Sequence, residues 1–143
     1  MKPTLLQPFS METAKKKIKQ AQEAWNTKCP TNVLTHFSIQ SKWHKGPLLI
    51  EGHKAIEDYL TDKWNKEENY QLKLKYMAHT DMSIAVQFVY EFKTDDELWY
   101  RAYGNETWEL DKNGLIQNRF IRVNDFPIEE EERVLHLEHV SIS

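Results

Sequence analysis

At 143 residues the chain fits a single domain with one core. Its net charge of -3 argues against a nucleic-acid binder, which would carry a basic surplus on one face. A mean hydropathy of -0.72, with no run near the ~20 apolar residues of a spanning helix, argues against a membrane span. One cysteine, Cys29, excludes an intrachain disulfide. With no secretory apolar run near Met1, the expected location is cytoplasmic. Aromatic residues are the unusual excess, with five Trp, six Tyr and six Phe. They fill cores and also line ligand pockets.

In chain order, Ser10 reads as the N-cap of a first helix, with Phe9 placed to staple onto Ala14. Met11, Ala14, Ile18, Ala21 and Trp25 repeat at helical spacing and predict one inward stripe. Lys15, Lys16, Lys17 and Lys19 are expected on the solvated faces. Cys29-Pro30 ends this helix, because a residue before proline is driven from the α region. Cys29 has no histidine partner in sequence, so a buried thiol is expected. Val33, Leu34 and Phe37 suggest a short second helix, residues 39–43 a short strand, and Lys45-Gly46-Pro47 a turn.

After Gly52, the positions Ile56, Tyr59, Leu60, Lys63 and Trp64 form the stripe of an amphipathic helix. Residues 70–79 read as a strand with Leu72, Leu74 and Tyr76 on one side. Ile84, Val86, Phe88, Tyr90 and Phe92 alternate with the period of a pleated strand. Residues 93–97 form a polar turn and 99–110 a long strand. Asp111-Lys112-Asn113-Gly114 is a hairpin signal, and 115–123 returns antiparallel. Helices followed by a meander of long strands make an α+β domain, expected over residues 1–128. Residues 129–143 begin with the acidic run Glu129 to Glu132 and continue as a docked edge or a frayed tail.

The hairpin limits which side chains meet. If Leu110 pairs with Leu115, Glu106 faces Arg119 and Trp108 faces Gln117. A register two residues different puts Trp108 opposite Arg119. In both cases Tyr100, Ala102, Gly104, Glu106, Trp108 and Leu110 share a face with Gln117, Arg119 and Ile121. That face is the more apolar and is expected to be concave. Trp99, Arg101, Tyr103, Asn105 and Thr107 then face outward, toward a partner subunit.

Glu106 and Arg119 are the candidate catalytic pair. On an aromatic-walled face they would be desolvated, and such ions persist only when paired and hydrogen-bonded. Two readings stay open: a ligand anchor or tuned acid/base group, and a structural cross-strand salt bridge. His44 is a third candidate, as a base whose ordinary pKa of about 6.5 suits proton transfer. A surface histidine beside a lysine and a turn is its plainer reading. Trp25, Trp43, Tyr90, Tyr100 and Trp108 are the candidate ligand-binding walls, joined by Trp64; each alone reads first as a core residue, and together they make an apolar pocket. His136 and His139 are three apart and lack further ligands, so no metal is expected. Four glycines and no Gly-rich phosphate loop leave no cofactor signature.

The order of elements resembles the nuclear transport factor 2-like (SnoaL-like) superfamily. Several strings resemble the domain-of-unknown-function 1348 family within it: Ala24-Trp25-Asn26, Lys63-Trp64 and Phe88-Val89-Tyr90-Glu91. The most specific is Trp99-Tyr100-Arg101-Ala102-Tyr103-Gly104-Asn105-Glu106 leading to Trp108-Glu109, then Asn124-Asp125. One departure is His44-Lys45-Gly46-Pro47, where the family carries an Arg-Asn-Arg-like stretch after the tryptophan. The resemblance implies a cone-shaped, curled antiparallel sheet covered by N-terminal helices (a cystatin-like α+β roll), often dimeric, with a cavity between the layers. It implies no reaction.

Ketosteroid-isomerase-like members place an oxyanion-stabilising acid at the position of Glu106. They also use a carboxylate where His44 stands and a tyrosine near Ala21, so that set is incomplete here. Epoxide-hydrolase-like members use an Arg and two Asp; Phe88, Tyr90 and Ile121 occupy those inward positions. The expected function is therefore a small-molecule pocket for a small apolar ligand. It would bind that ligand or act by cofactor-independent acid/base chemistry. The alternative is a non-catalytic interaction module, homodimeric through the outer sheet face.

Overall fold

The structure is a computed structural model and describes residues 9–135; His136, His139 and the rest of the tail lie outside it. Helix α1 (Met11–Asn26) begins at a capping box: Ser10 Oγ accepts the Thr13 N–H at 3.1 Å, and Thr13 Oγ1 accepts the Ser10 N–H at 2.9 Å. Ala14, Ile18, Ala21 and Trp25 are buried as the stripe predicts. Met11, by contrast, is exposed, because Phe9 fills that end of the core. Lys17 is buried beside the stripe, where a lysine stem can lie along apolar surface. Cys29 is half-buried at the corner before α2 (Pro30–Leu34), which has proline in its first turn.

Strand β1 (Phe37–Lys45) turns through Gly46, at φ 57°, into β2 (Leu48–Glu51). The sequence reading omits β2, whose exposed Leu48 and Leu49 break strand alternation. Helix α3 (His53–Lys66) leads to β3 (Glu68–His79), β4 (Ser83–Lys93), β5 (Trp99–Leu110) and β6 (Ile116–Ile128). The six strands form one curled, unclosed sheet in the order β2-β1-β6-β5-β4-β3. Neighbours are antiparallel except β1 and β6, which run parallel. No described helix is long and apolar enough to cross a membrane.

The N-terminal helices cover the concave face, and the core lies between the two layers. Helix α1 also guards the free edge of β3. The Asn26 side-chain amide donates to the Leu72 carbonyl at 2.9 Å and accepts its N–H at 2.7 Å, while Gln22 accepts the Leu74 N–H at 2.8 Å. Edge groups so occupied cannot template another chain.

On the outer face, Trp99 is not free for a partner. Arg133 lies 3.8 Å from the centre of its ring, and Leu135 is buried. The segment carrying both is held by Glu91, a fully buried carboxylate. Glu91 accepts the N–H groups of Val134 at 3.2 Å and Leu135 at 3.0 Å, and pairs with Arg101 at 2.9 Å. As far as Leu135, the chain end is docked.

Candidate functional site

The site begins with a register. Trp108 stands opposite Arg119 and Glu106 opposite Ile121, the second of the two pairings the hairpin allows. An irregularity between Glu109 and Leu110 turns Ile116 inward and leaves Gln117 exposed, so Gln117 does not share the concave face. Glu106 and Arg119 then meet diagonally. Arg119 Nε donates to Glu106 Oε1 at 3.0 Å and Nη2 to Oε2 at 2.6 Å; the Trp108 indole N–H donates to Oε1 at 2.8 Å. Both charged residues are buried.

Trp43 and Trp25 stack on each other at 5.6 Å, and both rings face the guanidinium, at 4.2 and 4.9 Å respectively. Cation–π attraction therefore adds to the ion pair. Burial pushes the Arg119 pKa down, but the charge and hydrogen bonds of Glu106 outweigh it and hold the guanidinium above its ordinary value.

A second cation comes from α3. Lys63 sits on the helix's apolar stripe with only 8% of its side chain exposed, paired with Glu67 at 2.8 Å. Its ammonium lies 4.2 Å from the ring centre of Tyr90 and 5.1 Å from that of Tyr70. Burial pushes the Lys63 pKa down; Glu67 pulls it back in part, and Arg119 and Lys45 lower it further. Burial also raises the Tyr70 and Tyr90 phenols, chiefly by desolvating the phenolate. They remain protonated donors at neutral pH.

These groups enclose a cavity of about 30 Å³, enough for roughly two waters. Of the expected residues, Glu106, Arg119, Trp25, Tyr90 and Trp108 come together on its wall. Trp43 lies behind Arg119, buried, and supports the guanidinium without lining the space. Tyr100 stacks on Phe92 at 5.4 Å, away from the cavity. His44 is on the opposite side of β1 from Trp43. Its ring stacks on Phe120 at 4.4 Å and its Nε2 lies 3.0 Å from Asn118 Oδ1, which removes it from the site.

The sequence reading missed Lys45, Tyr59, Lys63 and Tyr70 as lining residues. The signals were present: Lys63 and Tyr59 on an otherwise apolar stripe, and Lys45 and Tyr70 in phase with Trp43 and Leu72. A broad open hollow of about 880 Å³ lies on the other face of the sheet, lined by Lys73, Lys75, Gln87, Tyr103, Asn105, Arg122 and Asn124, among others. Gly104 also lines it; a side chain there would place Cβ 1.8 Å from the Arg122 carbonyl oxygen, so only glycine fits. Among the described residues, no group of three or more His, Cys, Asp or Glu could hold a metal ion.

The family model described as "Protein of unknown function (DUF1348)" matches residues 7–136. Similar solved structures include an epoxide hydrolase/cyclase-like enzyme of pyran ring formation in polyether salinomycin. It shares 12% identity over 79% of this chain and 92% of that one, at TM-score 0.70. An ntf2-like protein of unknown function from Burkholderia pseudomallei shares 11% over 78% and 90%, at 0.69. A Mycobacterium tuberculosis protein in complex with estradiol-17beta-hemisuccinate shares 15% over 76% and 91%, at 0.62. At these identities the likeness shows the nuclear transport factor 2-like fold. No curated protein matches the sequence significantly.

Proposed function

Because the chain belongs to the family of unknown function DUF1348, whose description assigns no reaction, we propose a function from the site itself: the protein binds a small molecule between sheet and helices, at Glu106 and Arg119. One observation carries this reading. A buried, bidentate ion pair borders a cavity instead of solid core. For folding alone, apolar residues of similar volume would serve as well or better. An ion pair at a cavity wall is explained by what the cavity holds.

Of the two forms of this reading, binding and acid/base turnover, the geometry favours binding. The Glu106 carboxylate accepts three N–H bonds and is committed to aiming Arg119. Arg119 and the phenols of Tyr59, Tyr70 and Tyr90 are then the groups that face a ligand. The cavity takes a head group of a few atoms, so a larger ligand would keep its apolar body outside it. Binding of a steroid ester by a protein of this fold is consistent with such a use, by analogy of fold alone.

Titration of the intrinsic tryptophan fluorescence against a panel of apolar carbonyl and aromatic compounds tests the proposal. The expected result is quenching at micromolar concentration that Glu106→Gln weakens about tenfold, the equivalent of one charged contact. Quenching by none of them overturns it. That outcome favours the second reading, a non-catalytic module that pairs two copies through the outer face. The observation behind that reading is the open hollow beside Tyr103, a side chain 47% exposed and edge-on to Phe126.

A further inference from the structure

The charges around the cavity do not balance, and the imbalance specifies a ligand. Three cationic side chains line it: Arg119, Lys63 and Lys45. Arg119 is neutralised by Glu106 and Lys63 by Glu67. Lys45 lies two residues beyond Trp43 on the inward side of β1. Its ammonium meets the hydroxyl of Tyr59 at 3.4 Å and lies 5.9 Å from the centre of the same ring. No carboxylate faces it in the lining. Asp125, the next acid along the inward side of β6, is exposed and outside the wall, though near enough to act on Tyr90. Among the described residues, Lys45 is therefore the one lining cation without a carboxylate partner. Arg119 and Lys45 also stand close enough to Lys63 to act on its ionisation, so this charge lies within a cluster of mutually repelling cations.

We propose that the cavity is a receptor for the carboxylate head of an otherwise apolar, monoanionic ligand, seated among Lys45, Lys63 and the phenol of Tyr59. This rests on the small-molecule reading above and adds the charge and head group of the ligand. A desolvated carboxylate needs hydrogen-bond donors and a counter-charge. Two ammonium groups supply donors only and the phenol hydroxyls can donate as well, with no acceptor charge in the lining beyond the committed Glu106. Size agrees. A carboxylate occupies about the space of two waters, which is the volume present. A phosphate monoester, with more oxygens and a charge approaching -2, exceeds both the space and the one unpaired cation among the described lining residues.

A matched pair of probes tests this on the full chain: phenylacetate and its neutral isostere phenylacetamide, titrated against tryptophan fluorescence at low salt. Phenylacetate is expected to bind about fivefold tighter than the amide, the upper end of the effect of one partly exposed ion pair. Lys45→Met should remove that preference, and Lys45→Arg should restore it. Equal binding of the two probes overturns the carboxylate assignment while leaving the small-molecule reading intact. Quenching by neither overturns both. A preference that survives Lys45→Met also overturns it, because the selecting charge then lies elsewhere.

Discussion

Glu106 shows how one carboxylate organises a site. Its oxygens receive two N–H groups of Arg119 and the indole of Trp108, so removing the guanidinium leaves a buried charge with one neutral donor. Arg119→Leu should therefore cost about 3–5 kcal/mol in urea unfolding. The double change Glu106→Gln, Arg119→Leu should regain much of that loss, since a glutamine carbonyl still accepts from Trp108. A small loss in the single variant would mean the pair is solvated in solution. Both residues were legible in the sequence from strand phase alone. Lys63 was legible only as a lysine in an apolar stripe, because its burial depends on Tyr70 and Tyr90 from strands elsewhere in the chain.

At the scale of elements, the docking of residues 133–135 is the least local feature. The string Phe88-Val89-Tyr90-Glu91 reads as alternation in which Glu91 is simply outward. In the fold, Glu91 is buried and receives backbone donors from Val134 and Leu135, more than forty residues later. Charge-assisted hydrogen bonds of this kind contribute about 1.5–3 kcal/mol each. Glu91→Ala should raise amide exchange at Val134 and Leu135 to that of free chain while the β4–β5 ladder stays protected. Unchanged exchange at those two amides would show that Leu135 burial alone holds the segment. The hairpin follows the same logic: Asp111-Lys112-Asn113-Gly114 announced a turn, but the irregularity beside Leu110 chose the register.

For the whole molecule, the buried lysine makes stability depend on pH. The Lys63 pKa is depressed below 10.5 by burial, with Arg119 and Lys45 opposing Glu67, while Tyr70 and Tyr90 cover its face. Between the lowered folded value and 10.5, the unfolded chain binds more protons, so this group adds stability as pH rises. Lys63→Met should flatten that rise; an identical pH slope in both proteins would place the lysine in solvent.

Strand phase, helix stripe, cap and turn were all readable from the sequence, because each follows from backbone periods and side chains within a few residues of one another. They yielded the α+β class, the concave wall and the pair on it. The tertiary structure alone decided the parallel β1–β6 contact, the short β2, the exclusion of His44 and Tyr100, and the covering of Trp99. It also decided that the cavity is about 30 Å³ and that, among the described residues, Lys45 lines it without a carboxylate partner. Volumes and charge balance arise where distant segments meet, and no local period encodes which segments those are.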